Sequence, residues 1–416
     1  MSRELPAEVA VELDAAELGG PVRVGTLRRV PSPSGAVVAF AYDEAWFARR
    51  DAFVIDPAHG LYAGVQYPRA GDSIAAAFTD AAPDRWGRTL LERREAMWAR
   101  DEGRHRRSLG EWEFLLGVSD FSRMGALRFV DAGGRYLDDE PPSVLPLAGL
   151  RELEAAACEL ERPSRAGRPL EAERLALLLA PGSSLGGARP KATFEGADGA
   201  LWIAKFPSRM DRHDVGACEL VLNDLAARAG IAVPEHRLLE LGDGYRTFAA
   251  RRFDRTPERR RLYASAMTMT SRRDRDDASY LDIALAIADH GAPRHIREDL
   301  GQLFRRVAFN VLVSHRDDHL RNHGLLRTPE GWRLAPAFDL NPTPRKPGHE
   351  LSIDGSVHRG DLDVLRETAP FYRLTGSAAE VIIDEVQLAI ATWRDAARAV
   401  DLGRSELDVL EDAIGA

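Results

Sequence analysis

His315-Arg316-Asp317-Asp318-His319-Leu320-Arg321-Asn322 spells H-R-D-x-x-x-x-N, a pattern that sets a carboxylate and an amide on one short loop. Phosphoryl transfer needs such a pair. One carboxylate orients the attacking hydroxyl, while the amide and a second carboxylate hold Mg²⁺. Asp339, seventeen positions beyond Asn322 in Pro336-Ala337-Phe338-Asp339-Leu340-Asn341, supplies a second carboxylate in a turn-prone setting. An eight-residue match stands only if its surroundings agree.

Upstream, Leu300, Leu303, Phe304, Val307, Val311 and Leu312 repeat at helical spacing and lead straight into His315. Downstream, Leu325 to Arg327 and Trp332 to Leu334 flank Pro329-Glu330-Gly331 and predict a hairpin that ends just before Asp339. Asp318 competes with Asp317 for the role of base, and the spacing to Asn322 favours Asp317. His315, His319 and His323 lie close enough in sequence to suggest Zn²⁺, although no further ligand cluster accompanies them.

A phosphoryl-transfer site also needs a cation and a phosphate cradle. Of 56 basic residues only Lys191, Lys205 and Lys346 are lysines. A lysine retained where arginine dominates can serve as a compact point charge, which the planar guanidinium cannot. Lys346, in Pro344-Arg345-Lys346-Pro347, reads as a chance survivor. Lys191 ends the loop Gly182-Ser183-Ser184-Leu185-Gly186-Gly187-Ala188-Arg189-Pro190-Lys191, whose glycines let backbone N–H groups face phosphate oxygens. The loop is not a Walker loop, because Ala188-Arg189 stand where Lys-Ser/Thr is required. Its G-x-S-x-G, residues 182–186, lacks the strand-before, helix-after setting of a hydrolase elbow.

Lys205 lies in Leu201-Trp202-Ile203-Ala204-Lys205-Phe206. Alternation puts Leu201, Ile203 and Lys205 on one face, read as the inward one, where a lysine needs an anion. Phosphate oxygens would serve, and so would Glu219 on the following helix; a solvated helix position for Glu219 is nearly as good a reading. Asp214 caps that helix, which runs to Ala229 and stops at Gly230.

Elsewhere, Val22 to Leu27 and Ala36 to Tyr42 read as a hairpin around Pro31-Ser32-Pro33-Ser34-Gly35. Pro83-Asp84-Arg85-Trp86-Gly87 opens a charged helix through Arg100, and residues 131–146 read as a connection. A β-rich run, Tyr245 to Phe253, precedes a mostly helical remainder. The expected fold is α+β and bilobal, in three segments: 1–130 as an N-terminal subdomain, 131–254 as a β-rich lobe with the phosphate loop, and 255–416 as an all-helical lobe with the catalytic loop.

Composition narrows the class. At 416 residues the chain has room for two or three domains. A net charge of −9 argues against autonomous nucleic-acid binding. Cys158 and Cys218 alone offer no disulfide framework. Met1 to Leu18 lacks the basic and apolar regions of a signal peptide, and the apolar run Leu175 to Pro181 is too short for a bilayer. The cytoplasm is the expected location.

Taken together, Ser183 to Lys191, Arg252-Phe253-Asp254-Arg255, Asp317 to Asn322 and Pro336 to Pro342 resemble the HipA-type serine/threonine kinase toxins. Phe40-Ala41-Tyr42-Asp43 with Trp46, and Asp80 to Gly87, resemble that family's N-terminal subdomain. The resemblance implies the toxin of a toxin–antitoxin pair, neutralised by a helix-turn-helix, HipB-like antitoxin, with DNA contacted only through that partner and no membrane. It implies ATP and Mg²⁺ as cofactors and an aminoacyl-tRNA synthetase as the kind of protein substrate. By motif, Asp317 would be the base, and Asn322 and Asp339 would bind Mg²⁺. Lys205 would contact ATP phosphates and Gly186, Gly187, Ala188, Arg189, Pro190 and Lys191 would cover the nucleotide. Arg251, Arg252 and Phe253 would form a hinge meeting adenine, with His319, Leu320 and Arg321 beside the nucleotide. Ser184, with Ser183 as neighbour, matches the loop serine that such kinases autophosphorylate to switch themselves off. Two departures put the target in doubt: His315-Arg316 replaces the commoner Asn-Thr, and Tyr263 to Met267 lacks the His-Gln-Glu-Asp stretch of some members. An antibiotic phosphotransferase shares the catalytic logic, and a silent antitoxin- and DNA-binding partner is the rival from another class.

Overall fold

The computed structural model describes residues 5–33, 35–137, 149–161, 175–179, 187, 189–242 and 244–415. The chain divides into two compact units: Met1–Arg209 with Asp254–Tyr263, and Met210–Phe253 with Ala264–Ala416. No helix among the described residues is long and apolar enough to cross a membrane.

The first unit is built on a five-stranded sheet in the order β4-β3-β2-β1-β5. Its strands are β1 (Glu8–Ala15), β2 (Gly20–Ser32), β3 (Gly35–Tyr42), β4 (Val65–Gln66) and β5 (Leu127–Val130). The β2–β3 hairpin forms where the sequence predicts it. β1 was not expected, because that stretch was read for targeting signals and not for period 2. Its Val9, Val11, Leu13 and Ala15 are all buried, alternating with less buried positions. The helix Arg85–Asp101 follows Asp84, close to the predicted span. Leu150–Leu160 forms a second helix. The hairpin β6 (Lys191–Glu195) and β7 (Leu201–Lys205) closes over Gly196 to Gly199, where the Gly199 N–H donates to the Gly196 carbonyl at 3.0 Å and Gly199 takes φ +76°.

In the second unit the helix Val215–Arg228 starts at Asp214, whose carboxylate accepts from the Ala217 N–H at 2.9 Å. The hairpin β8 (His236–Leu239) and β9 (Thr247–Arg251) follows it. The helix Ile296–Leu312 buries Leu300, Leu303, Phe304 and Val307 and ends at the catalytic loop. This part of the chain is not all helical, contrary to the expectation. A third, short strand, β10 (Tyr263–Ser265), joins β11 (Gly324–Thr328) and β12 (Gly331–Leu334) in one sheet, order β10-β11-β12. Three residues are too few to show an alternation, so β10 left no periodic signal in the sequence.

Candidate functional site

The candidate residues fall into two groups, one in each unit. In the second unit the catalytic loop leaves the Ile296–Leu312 helix through Ser314, a non-glycine residue at φ +48°. Asp339 is held at φ +61°. Left-handed backbone at such residues costs free energy and concentrates at functional sites.

The two adjacent aspartates have opposite surroundings. Asp318 is 2% exposed. Its Oδ2 accepts from the Tyr280 hydroxyl at 2.8 Å and from Asn310 Nδ2 at 2.8 Å, and it pairs with His323 Nε2 at 2.7 Å. Burial alone would raise this carboxyl, but the His323 imidazole, by charge and by hydrogen bond, then His315 and the Tyr280 hydroxyl more than offset it. The group is held well below the ordinary carboxylate range. Burial, then the Asp318 charge, pushes the Tyr280 phenol well above its ordinary value, so its O–H remains a donor. Asp317, by contrast, has a side chain 54% exposed. Asp318 therefore cannot reach a substrate, and Asp317 can.

Asn322 is buried, and its Nδ2 donates to the Asp317 carbonyl at 3.4 Å. Asp339 is half-buried, and the neighbouring Phe338 packs on Phe253 with centroids 5.5 Å apart. Amide and carboxylate oxygens are hard donors that suit Mg²⁺, which takes one or two carboxylates plus phosphate and water instead of a closed protein cage. The histidines do not converge on a metal. His323 is engaged by Asp318, and His315 Nδ1 meets the Asn341 carbonyl at 2.7 Å. No group of three or more His, Cys, Asp or Glu among the described residues could hold an ion, which removes the Zn²⁺ reading.

His319 caps the 3-10 turn Leu320–Asn322, and its carbonyl accepts from the Asn322 N–H at 2.8 Å. Arg321 reaches Asp274 at 2.7 Å. Arg252 is buried, while Arg251 pairs with Glu235 at 3.1 Å. Glu219 is 2% exposed, which rules out the solvated reading.

The loop is backed by a segment that sequence reading had set aside. Thr343 Oγ1 accepts from the Arg316 N–H at 2.8 Å and the Asp317 N–H at 3.2 Å. Arg316 donates to the carbonyls of Pro344 at 2.8 Å and Lys346 at 2.6 Å. Lys346, read as a chance survivor, forms an ion pair with Asp317 Oδ1. Nothing local in Pro-Arg-Lys-Pro signals this, because the contact arises from the return of the chain over the loop.

In the first unit Lys191 and Lys205 are directly opposed across the β6–β7 hairpin, so the two side chains share a face. Like charges so placed destabilise a sheet unless an anion offsets them. The face bearing Leu201, Ile203 and Lys205 is only half-buried, whereas Trp202 and Ala204 are buried. Lys205 thus lies on the more open face and not the inward one. Ser183, Ser184, Gly186 and Ala188 lie outside the described residues. Gly187 takes φ +86°, and its carbonyl accepts from the Trp86 N–H at 3.2 Å. Trp86 Nε1 also donates to the Lys191 carbonyl at 3.1 Å. Arg189 Nη1 donates to the Phe206 carbonyl at 3.0 Å, and the Phe206 N–H to the Pro190 carbonyl at 2.9 Å. The N-terminal turn of the Arg85–Asp101 helix therefore grips both Gly187 and Lys191. Sequence reading placed Trp86 in a separate subdomain and missed this role.

The first unit thus carries two opposed lysines, and the second a loop with an exposed aspartate beside a buried amide. The family model described as the HipA-like C-terminal domain matches residues 183–393, just over half of the 416 residues, and the chain belongs to that family. A Sinorhizobium fredii protein, Y4dM, named only provisionally as a kinase, is 30% identical over 160 residues, covering 34% of this chain and 37% of its own length. The chain thus spans little more than a third of that curated relative. The fold resembles that of the Shewanella oneidensis HipA structure solved with HipB and operator DNA, at a TM-score of 0.64 and 14% identity, covering 98% of this chain and 96% of that one. Helicobacter pylori kinase CtkA aligns at a TM-score of 0.40 with 17% identity, over 56% of this chain and 94% of its own, and carries no weight at that score.

Proposed function

We propose that the chain is an ATP- and Mg²⁺-dependent serine/threonine protein kinase. The observation that carries this reading is the division of labour at Asp317-Asp318: one carboxylate is buried among hydrogen-bond partners, while its neighbour is exposed. Asp317 orients the acceptor hydroxyl and takes its proton. Asn322 and Asp339 hold Mg²⁺, which when bound neutralises charge on the β- and γ-phosphates. Lys191, Lys205 and the loop from Gly186 receive the phosphates, supported by the opposed lysines. Arg251 to Phe253 meet the adenine.

Family membership and the fold of the HipA–HipB complex motivate the biological setting. We propose a cytoplasmic toxin held by a HipB-like antitoxin, acting on a translation component such as an aminoacyl-tRNA synthetase. Autophosphorylation at Ser184, or Ser183, would switch it off. Incubation with Mg²⁺ and γ-labelled ATP tests the activity: wild type acquires label and Asp317→Ala does not. Equal labelling of the two proteins would sink the mechanism.

A further inference from the structure

We propose that Lys346 is a further catalytic residue, which pairs with Asp317 before the nucleotide arrives and passes to the transferring phosphoryl group during the reaction. The inference rests on the kinase reading above. Its basis is an ion pair between Lys346 Nζ and Asp317 Oδ1, with Glu350 Oε2 behind it at 3.6 Å.

A half-exposed ion pair contributes little to stability, about 0–1 kcal/mol, so folding alone gives weak reason to build it. Yet the backbone beneath it is fixed with unusual care. The Lys346 carbonyl is held by Arg316, its N–H donates to the Thr343 carbonyl at 3.1 Å, and the Glu350 N–H donates to the Arg316 carbonyl at 2.9 Å. The Lys346 Cα is thus clamped beside the base, while its side chain is 40% exposed. Burial would lower the ammonium pKa, but the hydrogen bond and charge of Asp317, then Glu350, outweigh it and raise the value, so the group stays charged. Among the described residues Asp317 Oδ2 carries no hydrogen bond, which leaves it open to an acceptor hydroxyl. Residue type agrees with this placement. Position 346 keeps one of three lysines in a chain whose other basic residues are arginine, and a compact point charge serves better there than a planar fork.

The chemistry balances without a further reactant. The acceptor oxygen bonds to the γ-phosphorus, the bond from that phosphorus to the β,γ-bridging oxygen breaks, and its electron pair leaves with ADP. The hydroxyl proton passes to Asp317. An acceptor held by Asp317 brings the phosphoryl group within reach of a cation already on that carboxylate. Lys346 then donates to a non-bridging phosphoryl oxygen, keeps its own proton, and releases the base.

The test uses the full chain as Lys346→Ala, Lys346→Met and Lys346→Arg. Expected for Ala and Met is a loss in kcat of about 10²- to 10³-fold, with unchanged Kd for ADP and unchanged melting temperature. Arg should recover part of the rate. Mg²⁺, ADP and aluminium fluoride together mimic the planar phosphoryl group, and their binding, read by calorimetry, should weaken by a similar factor in Ala. Wild-type kcat and wild-type binding of that mimic in Lys346→Ala would overturn the proposal and leave the kinase reading standing. Equal losses in all three variants, together with a lowered melting temperature, would also overturn it, because they mark a structural role. A wild type that transfers no label refutes the kinase reading and this inference with it.

Discussion

Replacing Asp318 by alanine would remove the acceptor on which Tyr280, Asn310 and His323 converge. Those three groups lie in the interior and would gain no solvent in exchange. Deleting one member of a buried, hydrogen-bonded ionic cluster costs roughly 3–5 kcal/mol. For a unit of about 200 residues, each kcal/mol lowers Tm by roughly 2–4 °C, so the expected drop is about 6–20 °C at neutral pH. Far-UV circular dichroism on heating measures it. The sign of the pH dependence is a second, independent check. The folded carboxyl is held well below the unfolded value of about 3.9. Its stabilisation is therefore complete above that value and is lost as pH falls through the folded one. The gap between wild type and variant should be constant from neutral pH down to about 5 and should narrow under stronger acid. A neutral-pH loss below about 1 kcal/mol, the ordinary value of a single hydrogen bond, would refute the argument that Asp318 anchors the loop. So would a gap that widens on acidification.

Two further outcomes concern the phosphate loop. Trp86→Phe keeps an aromatic side chain, though a smaller one, and leaves the Lys191 carbonyl without its donor, which should cost about 1–3 kcal/mol and raise KM for ATP more than it lowers kcat. Steady-state kinetics beside a melting curve would show this, and an unchanged KM would count against the helix as a brace. Gly187→Ala forces a side chain into φ +86° with its Cβ 2.8 Å from Lys191 Nζ. A loss of about 1–2 kcal/mol in stability, with weaker ADP binding by calorimetry, is expected; undiminished binding would mean that Lys191 does not meet phosphate.

The elements that flank Asp317 to Asn322 were legible because their signals are local: a helix with an apolar stripe and a hairpin with a glycine turn. The flanking helix and hairpin formed where periodicity put them. Lys346 was illegible for the opposite reason. Its neighbours in sequence are a proline turn, and its partner lies 29 positions away. In the sequence Asp317 and Asp318 differ only in their spacing to Asn322, and burial adds the contrast in their surroundings. β1 was readable in principle, since its alternation is clean. β10 was not, because three residues show no period.

The ten residues Asp254–Tyr263 leave the second unit and return to complete the first. There the Asp254 carboxylate accepts from the Gly125 N–H at 2.8 Å, and Arg255 donates to the carbonyls of Arg123 at 2.7 Å and Gly125 at 3.2 Å. The Arg260 carbonyl accepts from the Ala16 N–H at 2.9 Å, beside the end of β1. The two units are consequently interlaced along the chain and not strung in series. During synthesis the first cannot finish folding until residue 263 has left the ribosome, after residues 210–253 of the second have already emerged. A protease cut or a gene split near Arg209, which a linear domain map would recommend, would strip the first unit of this strap and release a fragment with unpaired main-chain groups at 123 and 125.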